Sequence, residues 1–162
     1  MNDIRKWHCE IPIQSLYSAG VGGQIFFTAL KTGGELMGTR CAPCSQVYLP
    51  ARLFCERCFA ELTERVVVGP EGVIKSFTIA YVDPDSERLQ QPVALALVQL
   101  DGATTVLLHT LLGVSEASRI AIGDRVSIVL KPETERSGSM LDIEGFRVID
   151  HSRSRNAQPP SV

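Results

Sequence analysis

The stretch CAPCSQVYLPARLFCERC, residues 41–58, holds two Cys-x2-Cys pairs that are separated by ten residues. Two residues between paired cysteines let both sulfurs turn toward one point, and a short hairpin brings two such pairs together. Zinc accepts four thiolates at the corners of a tetrahedron, which leaves no coordination position for a substrate. The spacing therefore predicts a structural metal site made by Cys41, Cys44, Cys55 and Cys58.

Zinc is the predicted ion at this site, and iron in a rubredoxin-like centre is the alternative, because tetrathiolate sites hold both metals. Ordinary free thiols are the simplest competing interpretation. A thioredoxin-like redox pair fits poorly, since one pair would suffice and no alternating strand–helix pattern surrounds it. The lone Cys9 lies far away in the sequence and is interpreted as an idle or buried thiol. Four arginines crowd the module and would offset the net −2 charge of a tetrathiolate site with a divalent ion: Arg40, Arg52, Arg57 and Arg65.

Short strands are predicted on both sides of the cysteine pairs, at residues 36–40, 46–49 and 64–68. Five longer strands follow, at residues 73–82, 93–100, 103–111, 125–130 and 140–149. Asp101-Gly102 is a two-residue hairpin signal between the second and third of these five. Five strands with one longer interruption, between the third and fourth, are typical of a small closed barrel such as an OB-fold. A short β-sandwich is the alternative.

The residues before the cysteines have the pattern of a helix. Apolar residues recur at helical spacing from Val21 to Leu30, and Gly33-Gly34 provide a left-handed stop. Such a helix must bury its apolar stripe against the chain's own core or against a partner subunit. The predicted fold is mainly β, with an N-terminal helical arm at 1–35, a zinc ribbon at 36–68, a five-stranded OB-fold barrel at 69–150 and a disordered tail at 151–162.

Composition and charge exclude several classes of function. The chain has 162 residues, a formal net charge of -2 and a pI near 5.9, whereas proteins that coat nucleic acid carry a basic excess. No apolar run is long enough to span a bilayer, and the N-terminus lacks the apolar core of a signal peptide. Paired cysteines suit a reducing compartment, so a cytoplasmic protein is predicted. Neither a phosphate-cradling glycine loop nor a GxSxG elbow is present, which favours a binding or assembly protein over an enzyme.

Three groups of motifs resemble the DUF35 family. The first group is Gly38-Thr39-Arg40-Cys41 followed by Tyr48-Leu49-Pro50-Ala51-Arg52, and the second is Gly69-x2-Gly72-x4-Phe77-Thr78. The third, in the barrel region, consists of residues 92–102, 122–126 and 145–147. Ser45 and Phe59 stand directly after the cysteine pairs, where this family usually has glycine, and their presence predicts less regular turns.

The resemblance implies a rubredoxin-like zinc ribbon followed by an acyl-CoA-associated OB-fold. Members typically form hetero-oligomers with thiolase-like enzymes, in which the thiolase carries the nucleophilic cysteine and the small subunit organises the complex. Related members accompany thiolases of aromatic-acid breakdown, benzoylsuccinyl-CoA thiolase among them, and aldolases acting on steroid side-chain CoA esters. The resemblance thus implies a non-catalytic subunit of a thiolase-type complex that assists CoA or acyl-CoA binding, in degradation of an aromatic or other acyl-CoA.

Four residues are candidates for contact with CoA. Arg40 and Arg52 flank the metal hairpin and could reach the nucleotide phosphates. Phe77 and Tyr81 could pack on adenine or pantetheine, although each could simply belong to the core. The alternative function is an OB-fold and zinc-ribbon module that binds nucleic acid, which is weaker because aromatics make up only 6% of the chain and its charge is negative. A free-standing enzyme would need a hidden nucleophile such as Cys9.

Overall fold

The computed structural model describes residues 17–150, which form a mainly β fold with one α-helix near the N-terminus, as predicted. The part of the predicted helical arm that precedes Tyr17, the lone Cys9 and the predicted tail at 151–162 lie outside the described residues. Within residues 17–150, no helix is both long enough and apolar enough to cross a lipid bilayer. The elements are α1 Gly20–Gly33, β1 Leu36–Arg40, β2 Val47–Tyr48, β3 Glu64–Val68, β4 Glu71–Val82, β5 Arg88–Leu100, β6 Leu107–Thr110, β7 Arg125–Leu130 and β8 Ile143–Asp150.

The helix α1 ends at the predicted glycine stop. Gly34 has a φ of 66°, in the left-handed region that glycine adopts without steric cost. Its amide donates to the Leu30 carbonyl at 3.1 Å, and the Glu35 amide donates to the Ala29 carbonyl at 3.3 Å. These two bonds satisfy carbonyls that a helix end otherwise leaves without partners.

The apolar stripe of α1 is only partly buried. Phe26 and Leu30 are fully buried in the main core, so the chain's own core takes one side of the helix. Ile25 and Ala29 are half-buried, and Val21 is exposed. The chain's own core buries Phe26 and Leu30, which confirms the first of the two predicted options for this part of the stripe. The second option, a partner subunit, concerns the other part.

The cysteine module is a small antiparallel sheet with the strand order β2-β1-β3. Gly38, in the middle of β1, allows β2 to approach closely, since a Cβ there would lie 2.6 Å from the Tyr48 carbonyl oxygen. No side chain fits at that distance, so alanine at this position would push the two strands apart. The strand β2 is shorter than predicted, while β1 and β3 have the predicted bounds.

The second sheet is a closed five-stranded barrel with the order β6-β5-β4-β7-β8. Its two edge strands meet where Leu111 forms a parallel bridge to Phe146, and the Leu112 amide donates to the Phe146 carbonyl at 2.8 Å. This parallel closure confirms the OB-fold prediction and excludes the β-sandwich. The strands β4 and β5 begin earlier than predicted, at Glu71 and Arg88, and form a long hairpin.

Two other strands start later than predicted. The strand after Asp101-Gly102 begins at Leu107 rather than at residue 103, because residues 103–106 leave the barrel to bind the ribbon. The last strand begins at Ile143 rather than at residue 140. The three residues before Ile143 form a 3-10 turn, which is held by Asp142 accepting hydrogen bonds from the backbone of residues 137–139.

Two threonines of the β5–β6 loop join the barrel to the ribbon. The Thr104 hydroxyl accepts from the Val47 amide, and both its hydroxyl and its amide donate to the Val47 carbonyl, each at 2.9 Å. The Thr105 hydroxyl in turn accepts from the Leu49 amide and donates to the Leu49 carbonyl, also at 2.9 Å. Val47 and Leu49 belong to the same buried core as the barrel strands. Ribbon and barrel therefore share one core and form one packed unit.

Candidate metal centre

The two cysteine pairs lie on two turns with the same backbone pattern, which we call the first and second knuckles (residues 41–46 and 55–60). The Cys41 amide donates to the Gln46 carbonyl at 2.8 Å, and the Cys55 amide donates to the Ala60 carbonyl at 2.9 Å. In each case the bond closes a loop that turns the paired sulfurs inward. The internal repeat seen in the sequence is thus a repeat of structure.

The residue after each pair is left-handed in both knuckles, although neither is glycine. Ser45 has a φ of 57° and Phe59 a φ of 60°. Their amides donate to the Cys41 and Cys55 carbonyls, at 2.8 and 3.0 Å. The prediction of less regular turns is wrong, because these backbone bonds hold the glycine-like conformation in spite of the side chains.

The four cysteine sulfurs converge on one point. Sγ–Sγ distances are 3.4 Å for Cys41–Cys58, 3.4 Å for Cys44–Cys55 and 3.9 Å for Cys44–Cys58, and all four sulfurs lie within 4.8 Å of one another. A tetrahedral site with Zn–S bonds of about 2.3 Å has sulfurs about 3.8 Å apart. A disulfide would need about 2.05 Å, and all four cysteines are free. The donor set therefore fits one tetrahedral ion, and in residues 17–150 no other group of three or more candidate ligands comes together.

The ligands differ in their exposure to solvent. Cys41 and Cys55 are buried with Tyr48 and Leu62 in a small core of their own, whereas Cys58 is exposed. The first cysteine of each knuckle thus faces the protein, and Cys58 of the second knuckle faces water. This arrangement suits an ion that fastens two knuckles together rather than one that meets a substrate.

Tyr48 is a hydrogen-bond donor to the cluster that the sequence analysis missed. Its hydroxyl lies 3.2 Å from the Cys55 sulfur, and the Arg57 amide donates to the same sulfur at 3.4 Å. Burial alone would raise the pKa of Cys55, but the Tyr48 hydroxyl and nearby amides outweigh it and lower that pKa to about 6. The same bond, helped by burial, raises the pKa of Tyr48 to about 12. Burial raises the pKa of Cys41 to about 12.

The opposite shifts in the pKa of Cys41 and Cys55 arise from the surrounding protein groups alone. A divalent ion would favour the thiolate form of all four cysteines, because it is the largest charge in such a site. The available signal for Tyr48 was its place between the pairs on a strand, but its direction depended on how β2 packs.

Two of the arginines near the cluster pair with glutamates of the ribbon. Arg40 pairs with Glu64 at 3.4 Å, and Arg52 pairs with Glu56 at 2.5 Å. The Arg52 guanidinium also lies over the Tyr48 ring, 5.1 Å from its centroid. Both arginine side chains are about half exposed. The structure thus brings Arg52 next to the residue that hydrogen-bonds to the cluster.

The two aromatic candidates for CoA contact lie elsewhere, on β4. Phe77 is half-buried against the barrel core, and Tyr81 is 55% exposed near the end of the strand. A strand rises about 3.3 Å per residue, so Tyr81 lies about 30 Å along β4 from Glu71, where the strand starts beside the ribbon. Two of the four candidates thus lie in the ribbon and two on a strand of the barrel.

Two family models match the chain over consecutive segments. One is described as the rubredoxin-like zinc ribbon domain of ChsH2 and matches residues 32–64. The other is described as the C-terminal OB-fold domain of ChsH2 and matches residues 65–131. Together the matches cover more than half of the chain, in the order that the structure shows.

Two curated relatives are named DUF35 domain-containing scaffold proteins. The one from Methanothermobacter thermautotrophicus is 25% identical over 114 residues, which are 70% of this chain and 84% of the relative. The one from Methanocaldococcus jannaschii is 28% identical over 67 residues, which are 41% of this chain and about half (48%) of the relative.

Two solved structures share the fold. A DUF35-family protein of unknown function from Sulfolobus solfataricus matches with a TM-score of 0.59 and 28% identity, over 80% of this chain and 84% of that one. A structure named Ltp2-ChsH2(DUF35) aldolase matches with a TM-score of 0.54 and 24% identity, over 76% of this chain and 91% of that one. The second likeness concerns the fold alone.

Proposed function

This chain belongs to the DUF35 family, since its ribbon and barrel match both ChsH2 domain models, and we propose that it is a non-catalytic scaffold subunit of a thiolase-type acyl-CoA enzyme. The observation that carries the proposal is the closed four-sulfur cluster in a ribbon that shares its core with the barrel. An ion there would fasten the two knuckles to a rigid body. Two relatives are named scaffold proteins, which supports the same role.

The resident ion of this proposal is zinc, held by Cys41, Cys44, Cys55 and Cys58. A filled tetrathiolate shell supplies no Lewis-acid position, so the ion's contribution is folding free energy for a module too small to bury a core of its own. Elemental analysis of the freshly isolated chain should give one zinc per chain. A finding of iron would replace zinc as the assigned metal. A finding of neither metal, with all four thiols titratable in the native state, would contradict the proposal.

The partner is a thiolase-like subunit, which carries the nucleophilic cysteine. The motifs that resemble the DUF35 family support this pairing, and the single packed unit of ribbon and barrel provides a surface with fixed geometry. Co-expression with a thiolase-like protein encoded beside this chain should yield a stable hetero-oligomer, measured by native mass spectrometry. A chain that stays alone and leaves the activity of that enzyme unchanged would contradict the proposal.

CoA contact is a further part of the proposal, with Arg40 and Arg52 as phosphate ligands. Each arginine pairs with a glutamate at the surface, and exposed ion pairs of this kind exchange readily because they are worth little in water. Arg52→Ala should raise the KM of the complex for CoA, while the exposed control Arg147→Ala on β8 should leave it unchanged. An unchanged KM in both variants would remove Arg52 from the CoA site.

The aromatic candidates belong to a second, separable contact. Phe77 and Tyr81 would serve pantetheine or adenine only if the ligand runs along β4, away from the ribbon. Tyr81 is the better test, since it is exposed and its loss leaves the core intact. Tyr81→Ser should raise the same KM if the ligand reaches that end of the barrel, and no change would exclude it.

The remaining predictions are kept as parts of this proposal. They are the cytoplasmic location, the degradative direction, an aromatic acyl-CoA substrate of the benzoylsuccinyl-CoA type, and the domain boundaries at residues 36–68 and 69–150. Assay of the purified complex against aromatic and aliphatic 3-ketoacyl-CoA thioesters decides the substrate class. Preference for a short aliphatic thioester would contradict the aromatic assignment and leave the scaffold role in place.

A further inference from the structure

The second knuckle and the two residues directly before it carry apolar side chains that the fold leaves in water. Phe59 is 81% exposed, Phe54 is 61% exposed and Leu53 is 39% exposed. We call these three side chains the knuckle tip. Their backbone is fixed, because Phe54 forms a bridge with Glu61 and the Leu62 amide donates to the Leu53 carbonyl at 2.8 Å. The tip is thus a rigid apolar projection beside the metal cluster.

Phe59 costs the folded chain in two ways. Its φ of 60° lies in the left-handed region, where a Cβ crowds the backbone and glycine is free of strain. Its ring also stays in water, so the fold gains little burial from it. Ser45 occupies the same position of the first knuckle at a φ of 57° with a small polar side chain. The fold therefore needs the left-handed turn but has no use for an aromatic ring there.

We propose that the knuckle tip is the anchor by which the thiolase-like partner holds this chain, with Phe59 as its central residue. This inference rests on the proposed function. The pocket that receives Phe59 is apolar and has a carboxylate on its rim, because Arg57 lies two residues before Phe59 and makes no ion pair within residues 17–150. A charged rim around a buried aromatic is the usual form of an interface hot spot.

The area of the tip favours a different protein over a second copy of this chain. An aromatic side chain carries roughly 200 Å² of surface, so the tip offers roughly 350 Å². Two tips in contact would bury roughly 700 Å² in total, which is below the roughly 1,200 Å² of a stable specific interface. A two-fold contact would also bring two Arg57 guanidinium groups together. The tip is therefore an anchor within a larger interface, whose pocket belongs to the partner.

Phe59→Gly separates partner binding from folding. The inference expects this variant to bind the partner more weakly without becoming less stable. The probe is a thiolase-like subunit from the same organism, purified and immobilised. Phe59→Gly should weaken its binding by about 30-fold or more, the scale of a hot-spot residue. The metal content should stay at that of the wild type, and the melting temperature should be equal or higher because the left-handed strain is relieved.

Two variants serve as controls. Ser45→Gly relieves the same strain in the first knuckle and should leave the affinity for the partner unchanged. Val67→Ser removes an apolar side chain that is 59% exposed on β3 and should also leave the affinity unchanged. A loss of affinity in all three variants would mean that the effect is not specific to Phe59, and it would overturn the inference.

The remaining outcomes decide between the inference and its premise. If the wild type binds the subunit and Phe59→Gly binds equally well, the inference is wrong and the scaffold role stands. If Phe59→Gly loses its metal or melts lower, the ring serves the fold and the inference is wrong. If Phe59→Gly changes only the self-association of the chain, measured by sedimentation, the tip binds a second copy and the inference is wrong. If the wild type does not bind the subunit at all, the proposed function fails and the inference fails with it.

Discussion

Replacing Thr105 with valine removes one hydroxyl from the joint between ribbon and barrel and leaves the side chain's shape almost unchanged. That hydroxyl accepts from the Leu49 amide and donates to the Leu49 carbonyl, both at 2.9 Å, and Leu49 is only 3% exposed. The variant therefore leaves two buried groups, the Leu49 amide and the Leu49 carbonyl, without a hydrogen-bond partner. Each buried neutral group without a partner costs about 1–3 kcal/mol, so for the two groups we expect the free energy of unfolding to fall by about 2–6 kcal/mol.

The neighbouring substitution Thr104→Val provides the matched comparison. The Thr104 hydroxyl also accepts from one ribbon amide and donates to one ribbon carbonyl, both belonging to Val47. The Thr104 amide donates to the same carbonyl at 2.9 Å, and this backbone bond survives the substitution. Only the Val47 amide loses its hydrogen-bond partner, so the expected loss is that of one group, about 1–3 kcal/mol.

Urea unfolding of both variants with saturating metal, followed by circular dichroism, measures these losses directly. For a chain of this size, each kcal/mol lowers the melting temperature by about 2–4 °C, so Thr105→Val should melt about 4–24 °C below the wild type. Equal stability of Thr105→Val and the wild type would refute the account of the joint. So would a larger loss for Thr104→Val, because the surviving backbone bond would then have no value.

Three further predictions test the ribbon, the barrel and the metal. Gly38→Ala should weaken metal retention measured by chelator competition, because its Cβ would lie 2.6 Å from the Tyr48 carbonyl oxygen; retention equal to the wild type would show that β2 can move without loss. Burial would raise the pKa of Asp142, but hydrogen bonds from residues 137–139 outweigh it and lower that pKa to about 2, from 3.8. Because the folded pKa is depressed, its contribution to stability is present above about pH 4 and is lost as the pH falls toward 2; Asp142→Asn should remove this dependence and cost about 1–3 kcal/mol at pH 7 in urea unfolding. Cys58→Ser should lose the ion and the ribbon's amide protection in hydrogen exchange, whereas Cys9→Ser should keep both; an ion kept by Cys58→Ser would exclude this cysteine as a ligand.

The barrel was predictable in number and order of strands but not in the path of its loops. Alternating branched residues mark strands locally, and this signal located all five. Asp101-Gly102 is an equally local signal for a tight turn, yet residues 103–106 leave the barrel because Thr104 and Thr105 find partners 57 and 56 residues away, respectively. A bond between such distant residues depends on packing that no short window of sequence contains.

The four candidates for CoA contact also show that position in the sequence does not determine the surroundings of a side chain. Arg40 and Arg52 flank the metal hairpin in the sequence, and the structure places them there, each paired with a glutamate. Phe77 and Tyr81 lie on one strand, but they differ in burial, since Phe77 packs against the core and Tyr81 is exposed. Spacing along a strand indicates which residues share a face, but not how far that face extends beyond the core.

The sequence by itself determined the convergence of four sulfurs and the order of ribbon and barrel, because both depend on spacings of a few residues along the chain. Tertiary structure alone decided which groups surround those sulfurs. The Tyr48 hydroxyl reaches Cys55 only because Gly38 lets β2 lie against β1, and Phe59 projects into water only because the second knuckle holds a left-handed turn. Ligand spacing is a local property of the chain, whereas the direction of a side chain depends on the strands packed beside it.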